Sequence, residues 1–278
     1  MATAPEPVTS YPMIAELTDR AVLSVSGPEA RAFLQGLVTN DAEKVAPGRA
    51  LYAAMLTPQG KILFDFLIAE SGGALLLDCR REARQALIKR LLMYKLRAKV
   101  EVKARDDLAI FAGLGGEVLT SGFADPRLPA LGTRAIAAKG EIVAQTGPDR
   151  YQALRLDLYV PEGGDFGSDK MFALDAGLDE LHAVSFDKGC YVGQELTARM
   201  KHRATARKRL LPLATRDGSP LVRDVPVTAA GQEIGAVVSV YGPRGFAIIR
   251  LDRLADAAAP FEAGGTAVSI AKPSWLFP

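Results

Sequence analysis

The run DKGCYVGQELTARMKHR, Asp187 to Arg203, gathers the side chains most able to do chemistry. It holds one of two cysteines and one of two histidines in the chain. Gly193 precedes Gln194 to Met200, a segment of good helix formers. Cys190 is therefore expected in a loop just before a helix N-terminus. Backbone N–H groups and the helix dipole stabilise a thiolate in such a place. Lys188 would add positive charge, and Gly189 and Gly193 would allow close backbone approach or positive φ. Free cysteine is also among the most buried residue types, so a structural thiol is the competing reading. Polar and glycine neighbours favour a reactive thiol at Cys190. Cys79, at the end of an apolar run, fits the structural one.

A metal centre made by this chain alone is a poor fit. Two cysteines cannot build a Cys₄ site. His182 and His202 stand at no recognisable ligand spacing from Cys190, so neither a metal pair nor a catalytic Cys–His pair is supported. One thiol can still give one ligand to a cluster shared with a partner. Arg199 to Arg209, RMKHRATARKR, is a basic run without an acid. It suits a solvated face, an acidic partner or phosphates. No aromatic residues interleave with it, so sequence-specific RNA binding is not indicated.

Asp65 is the other conspicuous side chain, a carboxylate inside the apolar run Leu63 to Ile68. Strand alternation sets it on one face with Leu63 and Leu67. Burial without partners is costly, so the face is either a ligand cleft or locally paired, unless Asp65 faces solvent.

These groups need a scaffold. Ala21 to Val25 reads as a strand, and Gly27-Pro28 opens a helix whose apolar face is Phe33, Leu34, Leu37 and Val38. The segment Thr39-Asn40-Asp41 closes it. Strands follow at Leu51 to Leu56, Lys61 to Ala69 and Ala74 to Cys79. A helix covers Arg80 to Lys95, then strands Lys99 to Ala104 and Leu108 to Gly113. Tyr151 to Tyr159 reads as a strand and Ala176 to Leu181 as a short helical piece. After Arg209, short β-like runs with turn signals suggest a small barrel or sandwich. The expected division is an α+β region over 1–204, made of two interleaved subdomains, and a C-terminal β-barrel over 205–278, with the boundary near Ala204.

At 278 residues and 49% hydrophobic, the chain can bury a real core. A formal charge of +2 is too small to mark a nucleic-acid binder. Cysteine usage suits a reducing compartment, and a cytoplasmic location is expected. MATAPEPVTS lacks a basic start and an apolar stretch, so it is no secretory signal, and these residues are expected to fray. No apolar run is long enough to span a membrane, and no membrane partner is expected.

Four stretches together carry a resemblance: FLQGLVTND (Phe33 to Asp41), LTPQGKILFDFLI (Leu56 to Ile68), YQALRLDLYVPEGG (Tyr151 to Gly164) and KGCYVGQELTARMKHRATARKRLLPL (Lys188 to Leu213). They resemble the YgfZ/GcvT folate-binding family. The Lys-Gly-Cys-Tyr-x-Gly-Gln-Glu signature marks its YgfZ branch, whose relatives include the mitochondrial iron–sulfur assembly factor and bacterial counterparts. The resemblance runs from about Leu17 to the end.

It implies the α+β body of glycine-cleavage T-protein, with a ferredoxin-like part and a C-terminal barrel around a central channel for tetrahydrofolate. It implies a factor for the assembly or repair of [4Fe–4S] clusters, a link to tRNA modification, and work with an A-type iron–sulfur carrier. A non-enzymatic assembly factor is expected rather than an enzyme, with an enzymatic function as the alternative. A [2Fe–2S] or [4Fe–4S] cluster would be held only transiently with a partner. Carried over, Cys190 is the signature cysteine and the shared cluster ligand. Lys188, Gly189 and Gly193 support the motif. Folate contacts are expected at Asn40, Asp65, Arg155, Tyr191, Gln194 and Glu195. Two departures stand out. The family's small Ala-Gly pair is here Leu158-Tyr159, and the aspartate pair of T-proteins is Phe64-Asp65. The runner-up function is a folate-dependent aminomethyl or one-carbon transferase, with Asp65 orienting the folate amine. A weaker one is a regulator that binds RNA through the basic run.

Overall fold

Short apolar runs bounded by turn residues account for most of the elements, and the strands Arg20–Ser26, Leu51–Leu56, Ala74–Arg80 and Leu108–Leu114 are buried almost throughout. The computed structural model describes residues 11–202, 207–255 and 260–277. Among these, strands β1 to β9 are Met13–Glu16, Arg20–Ser26, Leu51–Leu56, Ile62–Ser71, Ala74–Arg80, Glu101–Ala104, Leu108–Leu114, Phe123–Ala124 and Thr133–Ala138. Strands β10 to β15 are Lys208–Thr215, Pro226–Ala229, Gln232–Tyr241, Arg244–Arg250, Phe261–Ala263 and Thr266–Ile270. The helices are α1 (Ala30–Gln35), α2 (Arg84–Lys95), α3 (Pro148–Asp157), α4 (Gly163–Phe166), α5 (Gln194–His202) and α6 (Leu251–Ala255).

The chain forms two compact units that alternate along the sequence. The first takes Met1–Leu56, Phe64–Leu158 and Leu181–Val192; the second takes Thr57–Leu63, Tyr159–Glu180 and Gly193–Pro278. The boundary expected near Ala204 and the fraying expected of residues 1–10 fall outside the described residues.

In the first unit, β3-β4-β5-β2-β6 form one sheet and β1-β7-β9-β8 another. Helices α1 and α2 supply Leu34, Leu87 and Leu91 to a core with Leu23, Met55, Phe66, Ile68 and Leu77 from the larger sheet. Burying such side chains stabilises by about 1.5–3 kcal/mol each. Strand β5 pairs with β2 on one side and β4 on the other, so Asp78 sits in the middle of a sheet.

In the second unit, β10-β13-β12-β11-β14-β15 close into a barrel. Closure leaves no free edge. Its interior is filled by Leu211, Leu213, Val227, Val237, Ala247, Ile249 and Val268.

Two expectations are corrected. Tyr151 to Tyr159 is not a strand: α3 occupies Pro148–Asp157. Leu154, Leu156 and Leu158 mimic strand alternation. Pro148 at the first turn and Tyr151 buried one turn ahead of Leu154 carry the helical period instead. The helical piece over Ala176 to Leu181 is a series of turns, where Gly177 has φ +76°, a conformation that interrupts a helix. Strands β1, β8, β9 and β14 are additional to those expected from the sequence.

Candidate functional site: the Cys190 loop and a buried polar chain

Cys190 is exposed and Cys79 is buried. The loop carrying Cys190 is laced along the segment that follows α1. The Lys188 ammonium donates to the carbonyl oxygens of Gln35 at 2.7 Å, Val38 at 2.7 Å and Asn40 at 2.9 Å. The Gln35 carbonyl is one that the end of α1 leaves without an intrahelical donor, and Val38 and Asn40 follow in the turn beyond it. The Thr39 hydroxyl donates to Ala183 O at 2.6 Å. Ser185 N–H donates to Thr39 O at 3.0 Å and Val192 N–H to Gly36 O at 3.3 Å. The Lys188 Nζ lies 5.0 Å from the Tyr191 ring centre, a cation–π distance. Burial pulls the Lys188 pKa down to about 8, against the opposing pull of Asp41. Lys188 thus clamps the loop, and its charge is directed at carbonyls.

Of the two signature glycines, Gly193 takes φ +84°. Gly189 does not, and a Cβ there would meet open space. The helix expected after Gly193 begins at Gln194.

Asn40 is committed inside the unit. Its amide donates to Tyr52 O at 2.8 Å and His182 O at 2.7 Å, and its oxygen accepts from Asp41 N–H at 2.8 Å. Asp65 is buried and accepts from the Tyr52 hydroxyl at 3.0 Å. Tyr52 therefore joins Asn40 to Asp65 through its carbonyl and its phenol. Of the three openings left for Asp65, local pairing is present and solvent exposure is not.

The chain of contacts continues. The Arg127 guanidinium lies 5.5 Å from the Tyr52 ring centre. Arg127 grips Asp125 through Nε at 2.9 Å and Nη2 at 2.6 Å, and also donates to the Tyr151 hydroxyl. Arg134 stacks 4.7 Å from the Tyr151 ring centre and reaches Asp78 at 2.6 Å. Arg20 binds the same Asp78 carboxylate. All of these charged groups are buried. Burial pushes the Asp125 carboxyl up, but Arg127 and then Arg134 outweigh it and hold it low. The Arg134 Nε has no hydrogen-bond acceptor among the described residues.

Arg155 is buried on the last turn of α3, with Nε 2.9 Å from Gln152 Oε1. The first unit thus holds Asn40, Asp65, Arg155, Lys188, Gly189, Cys190 and Tyr191, while Gly193, Gln194 and Glu195 fall in the second. Glu195 is exposed and pairs with Arg199 at 2.7 Å, one turn along α5. Sequence reasoning missed Tyr52, Asp78, Asp125, Arg127, Arg134 and Tyr151. The available signal was a charged residue inside an apolar strand: Asp78 in ALLLDCR and Arg134 in TRAIAA. Among the described residues, no three His, Cys, Asp or Glu side chains gather as a metal site.

Residues 8–115 match the GCVT N-terminal domain, and residues 207–278 match the CAF17 C-terminal beta-barrel domain. The mouse mitochondrial iron–sulfur cluster assembly factor IBA57 is 33% identical over 277 residues, spanning 86% of this chain and 77% of that protein. The human one is 32% identical over 282 residues with the same coverage. The Neurospora crassa homologue is 34% identical over 234 residues, but the match spans 53% of that longer protein. The glycine cleavage system aminomethyltransferase T from Bartonella henselae superposes with a TM-score of 0.75 at 18% identity, over 96% of this chain and 87% of that one. The fold is therefore GcvT-like, mixed α/β with a six-stranded C-terminal barrel.

The relatives also correct one expectation. All three are mitochondrial by name, which stands against the cytoplasmic location. Unpaired cysteines report a reducing environment, not which compartment provides it. With about a third of its residues identical to factors whose length it largely spans, the chain belongs to the IBA57 family of iron–sulfur cluster assembly factors, built on a GcvT-like domain.

Proposed function

We propose that this chain is an accessory factor for assembling or repairing [4Fe–4S] clusters in client enzymes. The observation that carries the reading is an exposed Cys190 on a loop pinned by Lys188. Its relatives are named iron–sulfur cluster assembly factors. The thiol gives its proton to solvent and offers one thiolate ligand to a cluster in transit. The remaining ligands come from a partner, an A-type iron–sulfur carrier, because two cysteines cannot complete a cluster site. The Lys188 to Glu195 signature supports placement on the YgfZ branch.

Tetrahydrofolate is the proposed small-molecule ligand. The donor set suits it in part. Asp65, oriented by Tyr52, offers a buried carboxylate to an amino-pteridine. Asn40 contributes structure instead, since both amide hydrogens are committed to Tyr52 and His182 carbonyls. When bound, the folate would supply a one-carbon or redox-active ring next to the chain. Arg155 and Tyr191, in the same unit as Asp65, remain the other proposed contacts.

The test is a deletion strain carrying wild type or Cys190→Ala, read by aconitase activity and by glycine cleavage. Loss of aconitase activity restored by wild type alone supports the reading. Full restoration by a soluble Cys190→Ala protein removes the thiol from it. A second reading, aminomethyl transfer, is favoured by the Tyr52–Asp65 hydrogen bond alone. Methylene-tetrahydrofolate formation from aminomethyl-lipoyl substrate, abolished by Asp65→Asn, would establish it.

A further inference from the structure

The C-terminal end of α2 carries a feature that the folding of the first unit does not explain. Leu87 and Leu91 face the core. Leu92, Met93 and Leu96 do not: they are 47%, 63% and 89% exposed. Leu96 is also held at φ 42°, ψ −109°. Ala98 N–H donates to Lys95 O at 2.7 Å, closing a tight turn with Leu96 at its first central position. That backbone is the type II′ arrangement, which favours glycine. A bulky leucine there is strained and contributes almost no burial. Strain of this kind is concentrated at functional sites.

The charge around these side chains is mainly positive, although the Glu29 carboxylate accepts from Lys99 N–H at 2.7 Å and Glu101 pairs with Lys103 just beyond the segment. From Arg84 to Val100 the sequence has no Asp or Glu. Lys89, Arg90, Lys95, Arg97 and Lys99 form no ion pair with another described residue. The exposed Leu92, Met93 and Leu96 are therefore interleaved in sequence with five unpaired cations. Apolar side chains protruding from a helix end into solvent, with lysines and arginines around them, match the boundary between anionic headgroups and acyl chains. The apolar residues enter the boundary layer, and the cations meet the phosphates.

We propose that the last turns of α2 and the turn after it, Lys89 to Lys99, dock this protein on an anionic lipid surface, with Leu96 as the inserted anchor. Nothing crosses the bilayer in this reading, and no described helix is long and apolar enough to do so. Five cations without ion pairs beside three exposed apolar side chains select an anionic lipid surface over a mixed-charge protein surface. The proposal is independent of the role of Cys190.

The full chain would be sedimented with vesicles of phosphatidylcholine alone and with vesicles containing phosphatidylglycerol. Wild type is expected to bind only the latter, with binding falling as salt screens the charges. Leu96→Gly relieves the backbone strain, so its melting temperature should hold or rise while vesicle binding falls at least about threefold. Lys89→Glu with Arg97→Glu should abolish binding with the melting temperature within a few degrees of wild type. Absence of wild-type binding to anionic vesicles at low salt overturns the proposal. So does undiminished binding by Leu96→Gly. Binding to polyglutamate or to a duplex RNA without binding to vesicles would give the face to a different partner and also overturn it.

Discussion

The ammonium of Lys188 lies 2.7 Å from the carbonyl oxygen of Val38, a residue 150 positions earlier in the chain. This contact joins the start of the signature loop to the turn after α1 and holds Cys190 at the surface between Lys188 and Tyr191. Replacing Lys188 by Met removes a charged donor from three carbonyls. The expected cost is about 2 kcal/mol, measured by urea denaturation, with faster amide exchange at Val192 and Ser185. The pH dependence has a definite sign. The folded Lys188 titrates near 8, below its ordinary 10.5. Between these values the unfolded chain binds more protons than the folded one. Wild-type stability should therefore rise with pH across that window relative to Lys188→Met, and the difference should be flat below it.

The two cysteines should separate cleanly. Burial pushes the Cys79 thiol up to about 12, and its Sγ is 3.5 Å from Ala21 O. It has neither the thiolate nor the access that alkylation needs. Native protein should take up one equivalent of iodoacetamide, lost in Cys190→Ala, and unfolded protein should take up two. Mass spectrometry of the native adduct decides it: label on Cys79 would contradict the burial described for β5.

The departure at Leu158-Tyr159 has a backbone consequence. Helix α3 ends at Asp157, and Leu158 caps it. Tyr159, the next residue, has φ 60°. This is the left-handed position that helices commonly give to glycine, and the family pattern has glycine there. Tyr159→Gly should stabilise the protein by about 1 kcal/mol, visible as a raised melting temperature. Unchanged or lowered stability would mean that the half-exposed tyrosine ring compensates for its own strain.

Strands β3, β4 and β5 were legible as short apolar runs set off by the turns Pro58-Gln59-Gly60 and Ser71-Gly72-Gly73, and they are buried almost throughout rather than on one face. The Cys190 loop was legible because thiol, glycines and a helix start lie within a few consecutive residues. What was not legible joins residues far apart in sequence. Tyr52 to Asp65 is a pairing between neighbouring strands, and Lys188 to Val38 spans most of the first unit. Helix α3 was misread because three leucines at alternate positions look the same in either element until Tyr151 is placed.

The final prediction concerns the buried charges of the first unit. Asp78 receives both Arg20 and Arg134, with all three side chains sealed from water. Such a bridge need not stabilise more than an apolar substitute, but breaking it strands its cations. Asp78→Ala should cost about 3–5 kcal/mol. Arg134→Met in the same background should recover part of this, since one stranded guanidinium is then removed. Acid should act on the same cluster through Asp125, whose folded pKa is depressed by Arg127 against burial. Its contribution is present above the ordinary carboxylate range of about 3.9 and is lost as pH falls through the lower folded value. Wild type should therefore lose stability more steeply than Asp125→Asn as pH falls through that range, in paired urea titrations. Equal slopes would mean that Asp125 titrates alike in the folded and unfolded chains and that the Arg127 pair does not hold it ionised.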